Sequence, residues 1–253
     1  MNGTPAFQRV TDRIYLLKVP FEDLYTSVYF LPLPGGGLLA DTATTQSDAE
    51  TYILPALRAQ GFTVSDIFIS HNHEDHVGGL PRLADAFPSA TVHMAAPLPA
   101  LAGRVHVLLG GETFADGLTV CRLPGHTDEM LGLYDAASGT LLSFDGLQLC
   151  GIGRYGTSLT DPAAYRATLA AVKRLAPVRI LAAHDYVGGG ALAEGQEAVA
   201  AYLAACAAAV DEIRAFAGAC GATTPAACAA LWRAQKALPP VGEETFARLY
   251  FLR

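Results

Sequence analysis

Four side chains able to coordinate a metal crowd into six consecutive positions of this chain, His71-Asn72-His73-Glu74-Asp75-His76. They follow directly on the apolar run Asp66-Ile67-Phe68-Ile69-Ser70, which reads as a short buried strand. Residues two apart on a strand point the same way, and the curvature of the turn that follows can fan them around a point. Neutral imidazole and carboxylate suit zinc, iron or manganese. One ion cannot easily take all four from so short a piece. Two adjacent ions can, with His71 and His73 on one and Asp75 and His76 on the other. The fold must then deliver further ligands to the same place. Three candidates stand where an apolar strand runs into a loop, the usual position of site residues in α/β folds. They are His126 in Pro124-Gly125-His126-Thr127, Asp145 after Thr140–Phe144, and His184 after residues 178–182. His93 and His106 lie inside apparent strands and read as ordinary imidazoles, hydrogen-bonded or at the surface.

The rest of the chain reads as a layered α/β structure. Residues 13–19, 26–33 and 38–40 are strands, the last two separated by the turn Pro34-Gly35-Gly36-Gly37. Residues 47–60 carry Ile53, Leu54 and Leu57 at helical spacing and stop at Gly61. After Gly78-Gly79, residues 80–87 read as a helix. Short strands follow at 91–94, 105–109, 118–123, 131–136 and 140–144. Asp161-Pro162 starts a helix, with Asp as cap and Pro in the first turn. Beyond His184 the pattern is helical. Val199, Leu203, Cys206, Val210, Ile213 and Phe216 recur at three- and four-residue steps. Further helix starts lie at Thr224-Pro225 and near Glu243. With no repeat and no linker in view, residues 1–190 are expected to form one domain, with residues 191–253 packed on it as a helical extension.

Composition narrows the partners. Lys and Arg number 17 against 24 acidic residues, giving a net charge of −7, and the basic residues are scattered. A nucleic-acid surface needs them clustered. No strongly apolar run reaches the length of a membrane span, because much of the apolar content is alanine. The first residues carry no basic region followed by an apolar stretch. A cytoplasmic protein acting on a small molecule, with neither nucleic acid nor membrane as partner, is the expectation. The Ala-rich helical tail could serve a homodimer. The five cysteines, Cys121, Cys150, Cys206, Cys220 and Cys228, include no CxxC pair. A disulfide framework is not expected, and Cys206 fits core packing.

His71-x-His73-x-Asp75-His76 followed by Gly78-Gly79 resembles the signature of the metallo-β-lactamase superfamily. Gly125-His126-Thr127, Asp145 and His184 follow in the order that family uses. The resemblance runs from about Ile14 to His184. It implies a four-layer αββα sandwich with a helical C-terminal extension, and a binuclear centre holding two divalent ions, zinc first, with iron or manganese as the alternatives. It implies that His71, His73 and His126 hold one metal, that Asp75, His76 and His184 hold the other, and that Asp145 bridges them. Asp41 resembles the family's supporting aspartate behind the ligands. A metal-bridging hydroxide would attack an electrophilic carbonyl, with Asp75 orienting it as the catalytic carboxylate.

A bridging aspartate resembles the glyoxalase II and lactonase branches rather than the true β-lactamases. Antibiotic hydrolysis is therefore at most a side activity. The lactonases that open acyl-homoserine lactones place a tyrosine three residues after that aspartate, where this chain has Gln148. Tyr155 and Arg154, in the glycine-rich stretch 146–160, are substrate-binding candidates, and so are Phe21 and Tyr25 as an apolar lip. The expected activity is hydrolysis of an ester, thioester or lactone. Two alternatives stand beside it. One is a mononuclear-iron oxidoreductase like the persulfide dioxygenases, which share the first histidine motif. The other is a metal-containing ligand-binding or regulatory protein with little turnover.

Overall fold

Leucine, valine and aromatic side chains alternate or run together through the first forty residues, and the chain answers with a meander. The computed structural model describes residues 5–21, 24–101, 104–148, 159–185, 192–236 and 241–250. Strands β1 (Gln8–Arg9), β2 (Tyr15–Phe21), β3 (Leu24–Leu33) and β4 (Gly36–Ala40) pair antiparallel in sequence order. β5 (Asp66–Phe68), β6 (Thr91–Met94) and β7 (Val105–Val107) then add in parallel, giving a seven-stranded mixed sheet ordered β1 to β7. Two of the three parallel crossovers run through the helices expected over 47–60 and 80–87, and the third, from β6 to β7, carries a 3-10 turn at Pro99–Leu101. Ile53, Leu57, Leu80 and Leu83 bury against Val28, Leu39, Ile67 and Val92 of the sheet in one apolar core.

The helix expected over 47–60 is broken into three pieces. α1 (Gln46–Asp48) is opened by Thr45, whose hydroxyl and backbone exchange hydrogen bonds with Asp48. A wide π turn, Ala49–Ile53, leads into α2 (Leu54–Ala59). Pro55 is the physical reason: it has no N–H to give to the carbonyl four residues back, and its ring crowds that carbonyl. α3 (Glu74–Val77), one turn inside the histidine segment, and α4 (Leu80–Ala86) complete this part of the chain.

A second, five-stranded sheet has the order β12-β11-β10-β9-β8. Its strands are β8 (Leu118–Arg122), β9 (Leu131–Asp135), β10 (Thr140–Phe144), β11 (Arg179–Ala182) and β12 (Leu192–Glu194). β10 and β11 are parallel, connected through α5 (Pro162–Leu175), and β12 returns antiparallel to β11. β1 and β12, of two and three residues, are too short to show an alternation in sequence. Asp161 caps α5 as expected, accepting from the N–H groups of Ala163 and Ala164 at 2.8 and 2.9 Å.

The tail forms α6 (Gln196–Ala219), α7 (Pro225–Gln235) and α8 (Glu243–Tyr250). The buried stripe of α6 is Val199, Tyr202, Cys206, Val210, Ile213 and Ala217. Tyr202 stands where the sequence pattern had favoured Leu203. Phe216, Trp232 and Phe246, one from each helix, pack edge-on or tilted, with ring centres 5.1 Å apart for the first pair and 6.2 Å for Trp232 and Phe246. The chain forms two compact units, residues 1–121 with 133–138 and residues 122–132 with 139–253. Among the described residues no helix is long and apolar enough to cross a membrane.

Candidate metal centre

The histidine segment is held by the loop that leaves β4. Asp41 and Ala43 there both adopt φ of +62°, a conformation that Asp tolerates and Ala rarely takes. The turn runs so close to the segment that Thr42 N–H and Oγ1–H both donate to the carbonyl of His76, at 2.8 and 2.7 Å. This closeness explains Gly78-Gly79. A Cβ at Gly78 would lie 1.7 Å from the carbonyl oxygen of Thr44, and one at Gly79 would lie 2.1 Å from that of Thr42. Both approaches are to backbone, which cannot swing away.

Asp41 is fully buried and sets two imidazoles at once. Its Oδ1 accepts from the Ser70 N–H at 2.8 Å. Its Oδ2 accepts from Ser70 Oγ–H at 2.8 Å and from His76 Nδ1–H at 2.7 Å. Because Ser70 gives its hydroxyl proton to Asp41, its oxygen is left to accept from His71 Nδ1–H at 3.0 Å. Both rings thus carry the proton on Nδ1 and turn the Nε2 lone pair the other way, the tautomer a metal requires. Burial pushes the Asp41 carboxyl above its ordinary value, while His76 and then Ser70 pull it back. Ser70 is a functional residue that sequence reasoning did not single out. As the last residue of an apolar strand it carries no signal of its own.

His71, His73 and His76 cluster closely, with ring centres 4.6 Å apart for His71 and His73 and 4.3 Å for His71 and His76. His76 Nε2 is 3.3 Å from Asp75 Oδ2. His71 and His76 are buried, Asp75 is half-buried, and His73 is exposed.

Asp145 opens a single 3-10 turn, Asp145–Leu147, after Phe144, which sits at φ +48°. Its Oδ2 is 3.5 Å from His126 Nε2 and its Oδ1 is 3.5 Å from His184 Nε2. One carboxylate oxygen thus faces each imidazole. Gln148 Nε2–H donates to Asp145 Oδ2 at 2.7 Å. Tyr165 Oη–H, on α5, donates to the Gln148 carbonyl at 2.5 Å, and Tyr202 Oη–H, on α6, donates to the Leu147 carbonyl. Burial raises the Tyr165 phenol well above its ordinary value, so it stays a donor. Gln148, Tyr165 and Tyr202 went unrecognised as site supports in the sequence. Only the spacing of Gln148 from Asp145 pointed toward one of them.

Two groups of ligating atoms result. His71, His73, His126 and Asp145 form one, and Asp75, His76, Asp145 and His184 form the other, each with all its ligand atoms within 4.8 Å of one another. Asp145 belongs to both. Two ligands held at about 2.0–2.1 Å from one tetrahedral ion lie roughly 3.3 Å apart. The 3.3 and 3.5 Å separations at Asp75–His76, Asp145–His126 and Asp145–His184 match that bite. The donor set of imidazole and carboxylate therefore fits two divalent ions, and all seven expected ligands are brought into the two groups.

Phe21 and Tyr25 are half-buried on the β2–β3 hairpin, where Lys18 Nζ lies 4.3 Å from the Tyr25 ring centre. Arg154 and Tyr155 fall outside the described residues. His93 and His106 are paired rather than isolated. His93 Nε2–H donates to Asp66 at 2.7 Å, and the two Nδ1 atoms are 3.1 Å apart.

Comparison with known proteins gives one family and one fold. The family model described as "Metallo-beta-lactamase superfamily" matches residues 22–184. A protein named hydroxyacylglutathione hydrolase from Fuscovulum blasticum is 33% identical over 158 residues, covering 58% of this chain and 59% of that one. A second of that name, from Jannaschia sp., is 32% identical over 145 residues, covering 55% of each. The chain thus spans less than three-fifths of the length of these curated relatives. Among solved structures, a metallo-beta-lactamase from Pontibacter korlensis superposes with a TM-score of 0.64 at 14% identity, over 82% of this chain and 99% of that one. This last likeness establishes the shared fold.

Proposed function

The chain belongs to the metallo-beta-lactamase superfamily, and from that premise we propose that it is a two-metal hydrolase of thioesters, within the wider class of esters and lactones. The observation that carries the reading is the shared Asp145, a member of both ligand groups. The thioester preference rests on the relatives named hydroxyacylglutathione hydrolase. Zinc is the proposed metal, since a His-rich set with carboxylates is a familiar zinc environment.

Two divalent ions bound there would bring a water near ionisation at neutral pH and polarise the substrate carbonyl. The chain's own groups do the rest. Asp75, half-buried next to His76, would accept a hydrogen bond from the attacking water and aim its lone pair. His73, the exposed member of its group, marks the side from which substrate enters. Asp41 and Ser70 hold His71 and His76 in one tautomer, so the ligands need not reorganise during turnover. Gln148 fixes the rotation of the Asp145 carboxylate. A leaving thiolate is a stable anion in water and departs without a dedicated proton donor.

The test is a metal count on the purified protein, joined to a hydrolysis panel of acyl thioesters, aryl esters and lactones. Two metals per chain with fastest turnover on thioesters is expected. A two-metal protein that cleaves nothing in the panel sinks the hydrolase reading and leaves a binding role. One iron per chain, with oxygen uptake on persulfides, would replace it with an oxidative activity.

A further inference from the structure

The last stretch of the chain brings two thiols together that the sequence keeps apart. Cys220 Sγ and Cys228 Sγ lie 3.4 Å from each other. Cys220 ends α6, with its N–H donating to the Phe216 carbonyl at 2.9 Å. Cys228 lies in the second turn of α7, with its N–H donating to the Thr224 carbonyl at 3.0 Å. Gly221, at φ +70°, turns the chain between them, and Thr224 caps α7 by accepting from the Ala227 N–H. The Phe216–Trp232 contact packs the two helices together close by. Both cysteines are therefore held by helical backbone at each end of a short connection. Their accessibilities differ: Cys228 is fully buried, whereas Cys220 is partly exposed.

We propose that Cys220 and Cys228 form a thiol–disulfide exchange site that takes low-molecular-weight disulfides. Cys220, the accessible thiol, loses its proton to solvent and its sulfur attacks one sulfur of the small disulfide. The new bond is Cys220–S–S–R, and one small thiolate leaves. Cys228, out of reach of an external disulfide, then loses its proton and attacks the Cys220 sulfur. The bond to the small group breaks, and a second thiolate leaves. Two electrons pass from the cysteine pair to the small disulfide, which is reduced to two thiols. An S–S bond is about 2.05 Å long, so closure needs an approach of roughly 1.3 Å, within the reach of side-chain rotation at the partly exposed end. Exchange depends on which sulfur can be reached, and burial assigns the two roles here. The other described cysteines are poorer sites. Cys206 is fully buried, and burial raises the Cys121 thiol above its ordinary value.

The product joins the end of α6 to α7. A small thiol group captured at Cys220 is thereby expelled rather than retained. This inference does not depend on the hydrolase reading, because no metal ligand takes part.

Both cysteines fall in one tryptic fragment, residues 215–233, which makes the test direct. The folded full-length chain is incubated with excess oxidised glutathione, alkylated and digested without reduction. In the wild type, the fragment should lose two hydrogens in mass and carry no glutathione. In Cys228→Ser, glutathione should accumulate on Cys220. In Cys220→Ser, Cys228 should take up no glutathione. A wild-type fragment that keeps two alkylatable thiols, or that keeps glutathione on Cys220 beside an alkylatable Cys228, overturns the proposal. The wild-type result decides by itself should either variant fail to fold.

Discussion

Asp41 shows how one buried carboxylate can set the ligands of a candidate metal centre without being one of them. Its hydrogen bonds to His76 and, through Ser70, to His71 choose the ring tautomers. Asn at this position keeps the left-handed backbone acceptable but gives up the charge and one acceptor. Asp41→Asn is therefore expected to fold, and to bind metal roughly 10–100-fold more weakly. Competition with a chromophoric chelator would measure it, and unchanged affinity would refute the assigned role. At this scale the sequence was highly legible where chemistry demands rare residue types. Three histidines and an aspartate crowded into six positions serve neither packing nor solubility, which leaves coordination, and Asp145 and His184 are marked by their place at strand ends. Ser70 and Gln148 were not legible as supports. A serine and a glutamine are ordinary residues, and their roles arise from partners such as Asp41, which lies 29 residues away from Ser70. Gly78-Gly79 was legible as a motif but not as a cause. The cause is the backbone of residues 42–44 passing against it.

Elements are where the tail gains a purpose. Tyr202 on α6 donates to Leu147 and Tyr165 on α5 to Gln148, so two helices clamp the turn that presents Asp145. Tyr202→Phe removes one hydroxyl and leaves the buried Leu147 carbonyl with the long Cys206 Sγ–H contact at 3.9 Å in its place. The expected cost is about 1–3 kcal/mol of stability, read as a lower denaturant midpoint, with weaker metal retention as the accompanying sign. Normal stability together with normal metal content would show that the clamp is idle. The periodicity of α6 located the helix and missed this residue, because Tyr202 and Leu203 fit an apolar stripe almost equally well. Elsewhere the longer strands and helices were read to within a few residues. The exceptions have local causes: Pro55 opens the π turn, and β1 and β12 are too short for a pattern. The paired strands β5 and β6 carry a further prediction. The His93 hydrogen bond, with Ser65 adding to it, holds the Asp66 carboxyl below its ordinary value. A carboxyl depressed in the folded state stabilises at pH values above the unfolded pKa, near about 3.9. That contribution disappears as pH falls through the lower folded value. Wild type should therefore melt above Asp66→Asn near neutrality, and the gap should close in acid. His93 Nε2 and Ser65 Oγ face Asp66 directly, and His106 stands behind His93, so melting curves from neutral to acid pH on both proteins test the pair. A gap that stays open well below the ordinary carboxylate range would contradict the assignment.

At the scale of the whole molecule, the two ligand groups draw on stretches of chain far apart in sequence: residues 71–76, then 126, 145 and 184. An unfolded chain cannot present that set at once, so metal binds the folded state in strong preference. Binding free energy then becomes folding free energy. A single site with free metal at a hundred times its Kd adds about 2.7 kcal/mol. For a chain of this size that corresponds to a rise of roughly 5–10 °C in Tm. Treatment with a chelator should lower the melting temperature by at least this amount, and excess zinc should restore it. The same cycle on His184→Ala separates the two groups, since His184 serves only the one that includes Asp75 and His76. That variant should retain one metal and only part of the rise. A melting temperature indifferent to chelation in the wild type would mean that the ligands are assembled without help from metal. A full rise in His184→Ala would mean that one ion carries all of the stabilisation. The first result would leave the centre preorganised by Asp41, Ser70, Gln148 and the two tyrosines alone. The second would favour single-metal chemistry over the two-metal hydrolase.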